Sequence, residues 1–214
     1  MRPLIAACAA CISTICIHPI HTKYLQKQLN VHNNIKYPMA GCLQSAANSF
    51  IMTGIYFTSY EFSFIYFTKN KIPIATFLGT SSSYIIGTPL HVYTKRIQVT
   101  KNNLNIPKQL NKKKWISLYM LNVINEYPKN LLKYLIYEYF LNNMNIKFIG
   151  LFAGFSSSLI TSIIFEPIEY IKTLKILGLP FSFNNIYNGM FIGITVSILS
   201  NTIGHGIIEE LSPR

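Results

Sequence analysis

The chain has 214 residues, half of them hydrophobic and only 12% charged, and its mean hydropathy is +0.29. A soluble domain carries about twice that share of charge, so the composition argues against an ordinary soluble protein and for one that lives in lipid. The charge is also lopsided, with 19 Lys and Arg against seven acids, all of them Glu, for a net +12. Such an excess suits nucleic acid, anionic lipid or anionic solutes. Here the cations fall between apolar stretches rather than along a polar surface, which excludes nucleic acid as the expected partner.

Six apolar segments follow in chain order, each near the ~20 residues that a helix needs to cross hydrocarbon. The first, 4–22, ends in "CIHPIHTKYLQKQ", where Pro19 is flanked by histidines and followed by basic residues. It holds three of the four cysteines, Cys8, Cys11 and Cys16, with Cys42 standing apart. Cys8 and Cys11 form a CxxC, but no strand precedes it and both intervening residues are Ala. Small thiols packed in an Ala-rich helix are expected, not a redox pair. The second segment, 39–67, follows "KYPMAG" and carries Glu61 in "SYEF". The third, 73–93, contains Pro89 in "TPLHVYTKRIQ".

The fourth segment, 117–141, begins "SLYML", carries Glu138 in "IYEY", and holds Lys129 and Lys133. Those lysines stand at i and i+4, so they share one helix face. Two cations at membrane depth are costly unless water or an anion meets them, and they are expected to form an anion-attracting cavity wall. The fifth segment, 148–171, holds Pro167 in "EPIEYIKTLK". The sixth, 186–211, follows "IYNGM" and carries Glu209 in "IIEE". Its His205 has no His or Cys at ligand spacing and is expected to be a packing or cavity residue. Ala6 with Ala10, Ala75 with Gly79, and Gly150 with Gly154 are small-xxx-small pairs that let helices approach closely. No GxxxxGK[ST] loop occurs, carboxylate pairs are scarce, and neither a metal, a cofactor nor an enzymatic activity is expected.

Three marks recur in one order. Pro19, Pro89 and Pro167 end the odd segments, each with His or Glu two residues on, Glu61, Glu138 and Glu209 end the even ones, and an aromatic lead-in, "KYPMAG", "SLYML" and "IYNGM", opens each even one. This is the signature of an internal repeat. It divides a single 1–214 unit into repeats of about 1–70, 71–145 and 146–214. The cations give an orientation. Lys23, Lys27, Lys36, Lys95, Arg96, Lys101, Lys108, Lys112, Lys113, Lys114, Lys172 and Lys175 follow odd segments. Arg2, Lys69, Lys71, Lys147 and Arg214 lie on the other side, so by the positive-inside bias both termini are expected on the less basic side. The opening Met1-Arg2-Pro3 is too short for a basic, Ser-rich leader, and any targeting signal is expected to be internal.

Three tandem helix pairs with Pro-x-acid-x-x-base ending the odd helices resemble the mitochondrial carrier family. Pro167, Glu169 and Lys172 match that motif; Pro19, His21, Tyr24 and Pro89, His91, Thr94 are decayed versions. The family's aromatic-x-Gly lead-in to even helices is intact as Tyr187-Asn188-Gly189, and its aromatic-acid ending stands in Tyr60-Glu61 and Tyr137-Glu138. Two departures stand out. The chain is shorter than the usual member, which removes most of the surface helix in each odd-to-even loop. The bases expected after the even-helix acids are replaced by Phe64, Leu141 and Ser212.

The resemblance implies an all-α membrane protein of six transmembrane helices in three helix-pair repeats around a pseudo-threefold axis. It further implies a multi-pass protein of a mitochondrial or related inner membrane, in contact with membrane lipids and present as a monomer or as a subunit of a membrane assembly. The implied activity is exchange of a small anionic metabolite, a nucleotide first, by alternating access. The alternative is a transport-inactive relic kept as a structural subunit. The implied substrate positions are Asn48, Asn125 with Glu126, and Val196, joined by Lys129 and Lys133. The implied inner gate pairs His21 with Thr94, His91 with Lys172, and Glu169 with Tyr24, held by hydrogen bonds while the histidines are neutral.

Overall fold

A computed structural model describes residues 2–29, 37–67, 71–100, 112–144, 149–179, 187 and 189–211. Over these residues the protein is all-α. The helices are α1 (Arg2–Gln28), α2 (Cys42–Tyr66), α3 (Lys71–Thr100), α4 (Lys112–Asn143), α5 (Ile149–Leu177) and α6 (Met190–Leu211). Each packs on the next and α6 returns to α1, so the six close into a ring. Lys36, Lys69, Lys101, Lys108, Lys147, Asn188, Ser212 and Arg214 lie outside the described residues, as do the side chains of Leu141, His205 and Glu209.

The ring is polar inside and apolar outside. Ser13, His18, Gln28, Thr80, Gln98, Asn122, Asn125, Ser157 and Lys172 are each at most 3% exposed, while Leu43, Ile65 and Phe191 are at least 77% exposed. Water-soluble packing runs the other way. Two of the described helices are long and apolar enough to cross a membrane, Pro3–Gln28 and Ile149–Leu177; the apolar stretch of α6, Met190–Gly204, is shorter. This is fewer than the six spans expected. Helices α2, α3 and α4 have the length but lose mean apolarity to inward residues such as Asn48, Thr76, Thr80, Asn122, Asn125 and Glu126, all buried.

Four helices carry a proline well inside them: Pro128 in α4 and, in the odd helices, Pro19 in α1, Pro89 in α3 and Pro167 in α5. Proline removes one backbone donor and bends the helix without ending it when its neighbours restore the lost contacts. The odd helices therefore run past their prolines, beyond where the apolar pattern stops. Two of the turns that lead into even helices are built alike. Gly41 precedes α2 with φ 74 and Gly189 precedes α6 with φ 79, left-handed values that favour glycine. A Cβ on Gly41 would lie 3.5 Å from the Thr94 carbonyl, and one on Gly189 would lie 3.4 Å from the Tyr24 carbonyl. Thr94 and Tyr24 each stand five residues after a proline. Gly41 thus does the work of the aromatic-x-Gly glycine although the residues before it do not fit that pattern.

The small-residue pairs behave as close-approach points. Ala6 and Ala75 are nearly unexposed, Gly150 and Gly154 are buried, and a Cβ on Gly79 would come within 3.0 Å of the Tyr56 carbonyl. The cysteines depart from expectation: Cys8 and Cys16 are exposed, and Cys11 and Cys42 partly so. Cys8, Cys11 and Cys16 share α1 with Leu4, Ile12 and Ile15, which are 60%, 47% and 45% exposed.

Candidate functional site

Beyond the prolines, α1, α3 and α5 converge. Leu25, Val99 and Leu177 form one buried apolar cluster, and Leu29 packs against it. Leu29, Val99 and Leu177 each stand ten residues past Pro19, Pro89 and Pro167. A second cluster of Val92, Leu118 and Ile176, with Trp115 against it, backs the first on the α3–α4–α5 side. These side chains close one end of the ring with hydrocarbon rather than charge.

An ion-pair network lies on the proline side of that plug. The Lys172 ammonium on α5 donates to Glu126 Oε1 at 2.7 Å and to Glu169 Oε1 at 2.6 Å, and its side chain is 2% exposed. Lys129 on α4 sits farther from the same carboxylates, 3.5 Å from Glu169 and 3.9 Å from Glu126. Asn125 donates to Glu169 at 2.9 Å and to Glu126 at 3.3 Å. Two carboxylates shared by two ammonium groups and an amide satisfy one another, which is what makes their burial tolerable. Lys95 on α3 reaches Thr173 on α5 at 2.7 Å.

The residue before each proline binds the next layer. His18 Nε2 lies 2.9 Å from the Ala40 carbonyl, and Thr22 donates to the Pro38 carbonyl at 3.0 Å, which fastens the turn into α2 onto α1. Thr88 accepts from Asn122 on α4 at 3.1 Å. Glu166 accepts from the Tyr24 hydroxyl, which in turn accepts from Gln28. A Cβ on Gly193 of α6 would strike both the Glu166 carboxylate and the Tyr24 ring. Gly193→Ala is therefore expected to destabilise the protein by about 1–3 kcal/mol, the usual cost of overpacking. A thermal melt of the purified variant checks this, and Gly204→Ala, where a Cβ meets nothing within 4 Å, is the control.

Toward the C-terminal end of α4 the interior contacts change. Lys133 donates to Asn201 on α6, and Asn130 donates to Thr80 on α3 at 3.3 Å. One residue after Lys133, the Tyr134 ring stacks on Tyr60 of α2, with centroids 4.9 Å apart and planes at 19°. Tyr60 stacks in turn on Tyr56 and Phe64. Neither α2 with α4 nor α4 with α6 is a neighbouring pair in the ring, so both links brace it crosswise.

Asn125, Glu126 and Lys129 of the expected substrate site thus join Glu169 and Lys172 of the expected gate in one network, with different partners from those expected, while Lys133 bonds outside it. Lys172 is held by Glu126 and Glu169 rather than His91, because two carboxylates offset the burial of an ammonium and a neutral imidazole does not. Glu169 is taken up by Lys172, Lys129 and Asn125, and Tyr24 turns to Glu166 instead. His21 lies 3.5 Å from the Gln98 amide, while the buried Thr94 hydroxyl has no hydrogen-bond partner among the described residues. Lys129 is neutralised rather than free. Asn48 is buried and its Oδ1 has no partner among the described residues; Val196 packs with Ile17 and Tyr24. The sequence reading missed Glu166, Gln28, Gln98 and the tyrosine stack. Lys95 and Lys172, which follow the odd apolar segments, are only 5% and 2% exposed. Their spacing after Pro89 and Pro167 was the available signal, since a helix running past its proline turns those positions inward.

No protein-family model and no curated protein matches the chain.

Proposed function

We propose that this protein is a compact, multi-pass solute carrier of the mitochondrial-carrier type, moving a small organic anion across an inner organelle membrane by alternating access. The observation that carries this reading is the charged network of Glu126, Glu169, Lys129 and Lys172, enclosed in a six-helix ring whose exterior is apolar. A polar interior behind an apolar wall suits a path for a hydrophilic solute, because lipid tolerates such groups only where they face one another or water. Threefold repetition is supported by the convergence of residues ten positions past each proline and by the matched settings of Gly41 and Gly189.

In this mechanism the solute enters while one end of the ring is open and meets the lysines and amides of the interior. The hydrocarbon plug and the crossed tyrosines then exchange roles as the closed end. Ion pairs that rearrange rather than vanish keep the intermediate states affordable in free energy. Nucleotides are the first class to assay, followed by carboxylates and inorganic anions. A ligand that binds the folded state raises its apparent stability by mass action, about 2.7 kcal/mol at a hundred times Kd. Thermal melts of detergent-purified protein against a metabolite panel are expected to single out one anionic class. A panel without response would instead favour a structural subunit.

A further inference from the structure

The four interior lysines are not equivalent. Lys129 and Lys172 share Glu126 and Glu169. Lys95 is capped by a hydroxyl near the plug. Lys133 donates only to the neutral Asn201 amide and has no carboxylate within 4 Å among the described residues. Asn201 is itself held in place, its Nδ2 donating to the Ser197 carbonyl at 2.7 Å, with Ser197 Oγ at 3.4 Å. That bond aims Oδ1 at the ammonium. An ammonium has three donors, so two remain on Lys133 once Asn201 is served. A cation inside the ring with spare donors and no countercharge is costly by itself and is relieved by an incoming anion.

We propose that Lys133, Asn201 and Ser197 form the anion subsite of this protein, taking a single oxyanion group, carboxylate or phosphate, between α4 and α6. Lys129, one turn away, serves the ion-pair network and not the ligand. The proposal deepens the carrier reading by naming the cation that meets the solute, and it rests on that reading only in letting a solute into the ring. An oxyanion there accepts from the two spare Lys133 donors and from the Ser197 hydroxyl. The rest of the solute would extend toward Asn130 and Thr80, whose hydrogen bond at 3.3 Å marks the neighbouring polar wall.

The test is binding by the detergent-purified full chain, read by isothermal titration calorimetry and by the shift in melting temperature, with inorganic phosphate and propionate as separate probes. Saturable binding of at least one probe is expected, and which one binds tells phosphate from carboxylate recognition. Lys133→Gln is expected to weaken that binding by about tenfold or more, Lys133→Arg to restore much of it, and Lys175→Gln, which removes an exposed cation, to change nothing. Asn201→Asp gives Lys133 an internal carboxylate. It is expected to raise the melting temperature without anion and to abolish the anion response, so the test stands even where Lys133→Gln folds poorly. Absence of saturable binding by the parent, or a Lys133→Gln or Asn201→Asp protein that binds as the parent does, overturns the subsite. Anion binding lost with Lys133→Gln but without exchange by the parent in vesicles leaves the subsite standing and removes transport.

Discussion

Lys172→Ala is expected to lower the stability of the fold by about 3–5 kcal/mol, the cost of stranding buried charge when one partner of an ion pair is removed. The side chain is 2% exposed and holds two carboxylates at 2.6 and 2.7 Å. Lys129, at 3.5 and 3.9 Å, is too far from them to take over without moving. Deleting both sides should cost much less, since no uncompensated charge is then left buried. The triple variant Lys172→Met, Glu126→Gln, Glu169→Gln is therefore expected to recover most of the loss. Thermal or denaturant melts of the two proteins measure it. A Lys172→Ala protein as stable as the parent would show that this network contributes nothing to the folded state.

Leu177→Ala is expected to cost about 2–5 kcal/mol by leaving a cavity where Leu25, Val99 and Leu177 meet. Leu177 is fully buried. It joins three helices at once, so the cavity has little freedom to collapse. The same change removes part of the apolar seal in which all three odd helices meet. Water and small reagents should then reach the interior more readily from that side. A cysteine placed at Asn125 in a background free of Cys8, Cys11, Cys16 and Cys42 would report this as faster labelling by an impermeant thiol reagent. Unchanged labelling together with unchanged stability would mean that the plug does not close the ring.

The six helices were legible because their apolar runs are long and their punctuation recurs. The places where α1, α3 and α5 end were not. The apolar pattern stops near the prolines, and Lys23, Gln26 and Gln28 read as loop, yet Gln26 and Gln28 are buried. Hydropathy cannot distinguish a polar residue facing water from one facing other polar residues inside a ring. The same ambiguity covers Lys95 and Lys172, which follow the odd apolar runs and yet are buried. The shared face of Lys129 and Lys133 was legible from their spacing, and the structure keeps both in contact with interior groups. Their different partners were not legible, because Glu169 and Asn201 come from other helices and only the packing sets which one stands opposite. The starts of α2 and α6 were set by glycines with left-handed backbones, of which only Gly189 carried a recognisable motif.

The central claim is that the ring moves solute. The measurement that tests it most directly is exchange in vesicles, with purified protein reconstituted into liposomes loaded with one unlabelled anion and uptake of the labelled form followed over time. The account predicts saturable exchange of one anionic class, dependent on internal anion and strongly reduced by Lys133→Gln. Folded, correctly inserted protein that exchanges no member of the nucleotide, carboxylate or inorganic anion classes above the rate of empty liposomes would contradict it.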